Sequence, residues 1–138
     1  MKINALLLPL VLITSQSALA EEAPCKVKIY ASSTAELSAA VADLYGFKKA
    51  PSLGYLTVTC VNTATFQSLE FVNPQVHVTG GGLDQTLTMK EMYESTRVIY
   101  TTNFQFVHGN EMQFAINTPL EGSDGVLDHK FSQVFYNR

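Results

Sequence analysis

Three observations predict a mostly β fold for this chain of 138 residues. Short runs alternate apolar and polar residues with the period of a half-buried strand. Clusters of Gly, Asn, Pro and Ser punctuate those runs. Patterns with helical period are brief. The clearest run is Tyr55 to Val61, where Leu56, Val58 and Cys60 share one face and Tyr55, Thr57, Thr59 and Val61 the other. The polar stretch Asn62-Thr63-Ala64-Thr65 follows with turn chemistry. A second extended run begins at Leu69-Glu70-Phe71-Val72 and is interrupted at Asn73-Pro74, because proline brings no N–H to a ladder. It resumes as Val76-His77-Val78, with His77 opposite the valines. Two extended runs joined by a short polar loop read as a pair of strands.

The start of the chain reads as a signal peptide over 1–20. Lys2 is a positive n-region, Ala5 to Ile13 an apolar h-region, and Ala18-Leu19-Ala20 a small-x-small cleavage site. The apolar run is too short to span a bilayer. Residues 21–138 are then a single β-sandwich domain of 118 residues, with 8 basic and 12 acidic side chains and a net charge of −4. That length supports a real core. Mild acidity without basic clusters excludes nucleic acid and an anionic membrane surface as partners. No membrane insertion is expected after cleavage. A periplasmic or secreted setting makes Cys25 and Cys60 a disulfide pair. A redox or metal-binding pair is the alternative, and no C-x-x-C spacing supports it.

The first strand is Lys26 to Ala31, with Val27 and Ile29 on the face that also carries Cys25. Over 33–46 the pattern turns helical. Ser33-Thr34-Ala35-Glu36 has capping-box spacing, Leu37, Ala40, Val41 and Leu44 form a stripe, and Gly46 can end a helix. One short amphipathic helix is expected there, with a loose hairpin or inter-strand excursion as its rival. Lys48 to Gly54 is a connecting loop.

Thr79-Gly80-Gly81-Gly82 is a mobile turn; it lacks the spacing of a phosphate loop. Leu83, Leu87 and Met89 edge another short strand, and Lys90 to Ser95 suggests one helical turn. Arg97 to Val107 is β-branched and aromatic. It turns at His108-Gly109-Asn110 into Glu111 to Asn117, which is expected to pair antiparallel with it. A loop rich in Gly and acid runs to Asp128, and Phe131 to Tyr136 is a terminal strand. This makes about six or seven strands with at most one or two short helices. The fold class is an immunoglobulin-like antiparallel β-sandwich.

Chemical signals are sparse. Met89 and Met92 have M-x-x-M spacing and, with His108, form a candidate copper(I) set; Met112, His77 and His129 lie elsewhere. The same spacing is what a buried helical turn would give, and Met is a common core filler. Glu121 to Asp128 holds acids that suit calcium but not the alternation of a calcium loop. No nucleophile elbow or zinc-hydrolase motif is present. The expectation is a non-enzymatic protein-interaction or ligand-binding module with no cofactor and an exported or cell-surface protein as partner.

The cysteine pattern near the first two strands is similar to that of fimbrial subunits, as are Gly125 and the near-terminal Tyr136. That resemblance implies a structural subunit that donates an N-terminal extension, yet only Glu21 to Pro24 precede Cys25 in the mature chain. The pattern Lys28-Ile29-Tyr30-Ala31 followed by Tyr55 to Asn62 resembles small exported bacterial immunoglobulin-like sandwich proteins of unknown function. It implies that fold and no known activity.

Overall fold

Alternation along each run becomes two faces in the fold, one packed and one open. The computed structural model describes residues 25–137; the expected signal peptide and Glu21 to Pro24 lie outside the described residues. Among the described residues there are eight strands: β1 (Lys26–Ser33), β2 (Leu53–Val61), β3 (Gln75–Gly80), β4 (Leu83–Thr88), β5 (Lys90–Glu94), β6 (Arg97–Gln105), β7 (Glu111–Pro119) and β8 (Val126–Val134). They form two four-stranded sheets, ordered β1-β2-β6-β5 and β4-β3-β7-β8. Every pairing is antiparallel.

One hydrophobic cluster draws on both sheets: Leu56, Val58 and Cys60 of β2 and Tyr100 and Phe104 of β6 join Val76 and Val78 of β3 and Met112, Phe114 and Ile116 of β7. Phe104 meets Phe114 edge-on at 5.0 Å and Phe135 at 5.1 Å, the T-shaped geometry that aromatic quadrupoles favour. Space for the Phe104 ring comes from its ladder partner, Gly54. A Cβ at Gly54 would lie 2.3 Å from that ring. The Cys25–Cys60 disulfide is present, with Cα atoms 5.4 Å apart and Cys60 paired beside Val27. It joins neighbouring strands of one sheet and closes a loop of 35 residues.

Strand partners differ from expectation in two places. β2 and β3 do not pair: β2 lies between β1 and β6, and β3 between β4 and β7. The connection crosses from sheet to sheet, pinned where the Tyr100 hydroxyl accepts from the Phe71 N–H at 2.8 Å and the two rings stack at 4.1 Å. β6 and β7 likewise separate into opposite sheets. Alternation specifies which face is buried, and it is the same whether the partner lies across the turn or in the facing sheet.

Lys90–Glu94 is a strand rather than a helical turn, because the free edge of β6 takes it as a partner. β4 and β5 are separated only by Met89, so one extended segment changes sheet at a single buried residue. The Gly80 to Leu83 pairing leaves Gly81 and Gly82 as a two-residue hairpin turn, both at positive φ as a type I′ turn needs. Gly81 packs so closely that a Cβ would lie 2.5 Å from Val107, a tight turn in place of the loose one expected.

The helical segment is also shorter than 33–46. Ser33 caps a single 3₁₀ turn, Thr34–Glu36, and Leu37 is extended. The helix proper, α1 (Ala39–Tyr45), starts at Ser38, whose hydroxyl accepts from the Val41 N–H at 3.1 Å. Gly46 ends it in the left-handed conformation. The break shifts the phase. Ala42 is buried, while Val41 is exposed and Leu44 is 70% exposed.

Two outcomes are expected. Gly54→Ala should cost about 1–3 kcal/mol by forcing the Phe104 ring to shift, measured by urea unfolding; an unchanged midpoint would reject the close-approach account. Reducing the disulfide should cost about 3–4 kcal/mol by releasing loop entropy, read from the same unfolding curves with and without thiol.

Candidate functional site

The residues singled out for metal are not brought together. Met89 is buried where the chain changes sheet, whereas Met92 lies on the outer face of the first sheet, its sulfur 3.8 Å from Thr101 Oγ1. M-x-x-M puts both side chains on one side of a helix; in extended chain an odd separation parts them. His108 is on an exposed turn, where its Nδ1 accepts from the Asn137 N–H at 2.8 Å. Met112 is in the core. Asp128 sits in β8, paired with Asn117, apart from the turn that holds Glu121 and Asp124. Among the described residues, no group of three or more His, Cys, Asp or Glu side chains is placed to hold a metal ion.

Each sheet carries a depression on its outer face. On the second sheet, His77, Ala115 and Lys130 form one row across β3, β7 and β8, and Thr79, Gln113 and Ser132 the next. They line an open hollow of about 430 Å³ centred on the small Ala115. His77 Nε2 pairs with Asp84 Oδ1 at 2.5 Å, both side chains well exposed. Beneath the hollow, on the core side of the sheet, the rings of Phe114 and Phe131 stack on each other at 4.5 Å.

The first sheet has a different outer face. Four rings form a chain across it: Tyr30 to Tyr55 at 5.9 Å, Tyr55 to Phe47 at 5.1 Å, and Phe47 to Tyr45 at 5.7 Å. Tyr55 and Phe47 are buried with Ala42, so α1 seats on the sheet through a second small apolar cluster. Its flanking chain is tied down by polar contacts. Thr34 Oγ1 lies 3.0 and 2.9 Å from the carbonyl oxygens of Ala50 and Leu53 and accepts from the Ala50 N–H at 3.1 Å. Asn103 of β6 donates to the carbonyls of Lys48 and Gly54 and accepts from the Lys48 N–H at 2.9 Å.

Seated this way, Tyr45 reaches over the sheet and donates its hydroxyl to the Glu94 carboxylate. Between it and Tyr30 lies a depression of about 190 Å³, floored by Thr57, Thr59 and Ile99 and flanked by Lys28 and Glu94. The floor is dry for an outer face: Thr59 and Ile99 are buried, and the neighbouring Thr101 is 1% exposed. Tyr30 is 60% exposed. The arrangement offers ring faces, hydroxyls, one ammonium and one carboxylate. It places no histidine beside a nucleophile.

The phenols respond to their settings. The hydrogen bond to Glu94, followed by burial, raises the Tyr45 pKa. Burial, followed by the hydrogen bond with Tyr30, pushes the Tyr55 pKa up to about 12.

Sequence patterns missed this site. Its members come from β1, β2, β5, β6 and α1 and read singly as ordinary strand or helix residues. The available signal was the density of Tyr45, Phe47 and Tyr55 around a helix whose expected apolar stripe omitted all three.

Strand edges offer less. β1, β5, β4 and β8 lie at the ends of the sheets, and each carries charge, including Lys26 and Lys28, Lys90 and Glu91, Asp84, and Asp128 and Lys130. Charged edges resist pairing with another chain. The Gln85 side chain bonds both backbone groups of Gln105 at 2.9 Å, and Gln133 donates to the Ala31 carbonyl at 3.0 Å. These two contacts bridge the sheets at opposite flanks.

Raised phenol pKa values mean that the folded state holds protons which the unfolded chain releases near pH 10. The stabilisation is complete below pH 10 and is lost as pH rises toward about 12. Melting temperature should therefore fall over that window, and Tyr55→Phe should flatten the fall. An equally steep fall in the variant would assign the loss to other groups.

Among curated proteins, none matches the chain. Its fold is similar to the crystal structure of a DUF4426 family protein from Pseudomonas aeruginosa PAO1, with a TM-score of 0.69 at 13% identity over 86% of this chain and 94% of that one. The profile of the DUF4426 family, a domain of unknown function, matches residues 21–138. The chain belongs to the DUF4426 family.

Proposed function

We propose that this protein is an exported, non-enzymatic binding module with an immunoglobulin-like sandwich, and that it takes its ligand on the outer face of the first sheet. The observation that carries the reading is the depression between the exposed ring of Tyr30 and the half-buried ring of Tyr45, over a floor of largely buried hydroxyl and apolar side chains. Buried ligand sites pair apolar walls with a few placed polar groups. Strand order supports the architecture. β1-β2-β6-β5 follows the A-B-E-D order, and β4-β3-β7-β8 follows C′-C-F-G. Export rests on the signal-peptide pattern of the first 20 residues, and the Cys25–Cys60 bridge suits an oxidising compartment. The alternatives draw less support. A fimbria-like subunit accepts a donated strand, and here β8 already pairs with β7 along nine residue pairs. A copper site would need Met89, Met92 and His108 to converge.

The test is a titration of ¹⁵N-labelled mature protein with the small-molecule and protein fractions of a cell-envelope extract. Amide shifts should appear at Lys28 to Tyr30, Thr57 to Thr59, Glu94 and Ile99. Tyr30→Ala combined with Tyr45→Ala should weaken binding at least about tenfold, a change of roughly 1.4 kcal/mol. Shifts confined to the second sheet, or none with either fraction, would overturn the reading.

A further inference from the structure

We infer that the ligand of this face is a neutral saccharide chain, an inference that rests on the reading of the face as a binding surface. Charge argues first. Lys28 stands on one edge strand and Glu94 on the other, at opposite flanks of the depression. One ammonium and one carboxylate offset each other, so no small anion or cation is favoured by both, and the Glu94 carboxylate is already engaged by Tyr45. The site therefore selects no net charge.

Polarity argues next. A purely apolar ligand would leave the Thr57 and Thr59 hydroxyls covered and unpaired, which costs free energy. The occupant must present hydroxyls to that floor. It must also present an apolar surface to Tyr30, whose ring is held at one edge by Tyr55 and otherwise open. A pyranose does both: its equatorial hydroxyls point outward and its C–H groups line one face. Polarised C–H groups meet the electron-rich face of an aromatic ring favourably.

Shape completes the case. The depression is shallow and crosses all four strands, from β1 to β5. Its volume of about 190 Å³ suits one pyranose unit, and its open ends let the neighbouring units of a chain leave over either sheet edge.

The experiment titrates labelled protein with N-acetylglucosamine trimer, maltotriose and cellotriose, each to millimolar concentration, beside the two envelope fractions. At least one trisaccharide is expected to shift the amides of Lys28 to Tyr30 and Thr57 to Thr59. Tyr30→Ala should weaken that binding at least tenfold and Tyr30→Phe should retain it, because the ring rather than the hydroxyl is used. If an envelope fraction shifts the face and no saccharide does, the saccharide inference falls and the binding module stands, with a peptide as the next occupant to test. If nothing shifts the face, both fall. Saccharide binding that is indifferent to Tyr30→Ala would overturn the assignment of the ring.

Discussion

The contact between the two sheets depends on the tip of the Phe104 ring passing close over the backbone of Gly54. That ring reaches the other sheet because its partner in the ladder, Gly54, has no side chain. From there it meets Phe114 and Phe135, and Phe114 stacks on Phe131 of β8. One aromatic cluster thus links the first sheet to the end of the chain. Burying large rings is the main stabilising term available to a domain of this size. The disulfide acts on a different part of the problem, shortening the unfolded chain between β1 and β2 and leaving the inter-sheet contact to the aromatics.

Faces were legible in the sequence; partners were not. The alternation of Leu56, Val58 and Cys60, and of Met112, Phe114 and Ile116, places all six in the core as expected. The Cys25–Cys60 pair was legible from the cysteine count and the expectation of export. The assignment of β2 with β3, and of β6 with β7, failed because alternation carries no information on which sheet a neighbour joins. Lys90–Glu94 failed for another reason, since its local composition tolerates helix and only the vacant edge of β6 decides. At 33–46 the capping signal was real, yet Ser33 capped a single 3₁₀ turn and Ser38 capped the helix. That offset of five residues turned Leu44 outward and Ala42 inward.

The candidate site was illegible for a related reason. Lys28, Thr57 and Glu94 occupy outward positions of three strands, where sequence alone predicts solvent. They become a site only because α1 is seated over the sheet by Ala42 and Phe47 and carries Tyr45 to Glu94. Polar contacts from Thr34 and Asn103 hold that excursion in place. The long connection between β1 and β2 is thus a scaffold for the outer face, with its own small apolar cluster apart from the main core.

The single-residue passage at Met89 bears on how the molecule assembles. Four of the six ladders join strands adjacent in the chain; only β2 with β6 and β3 with β7 join distant ones. Closing such distant pairs is the slow part of folding a β protein, since chain entropy is lost before contacts repay it. With β4 running directly into β5, forming either distant pair draws its neighbour toward the other sheet. Neither sheet can then peel away while the other persists, so the opening of the two sheets is expected to be one cooperative event, with the excursion that carries α1 free to open on its own.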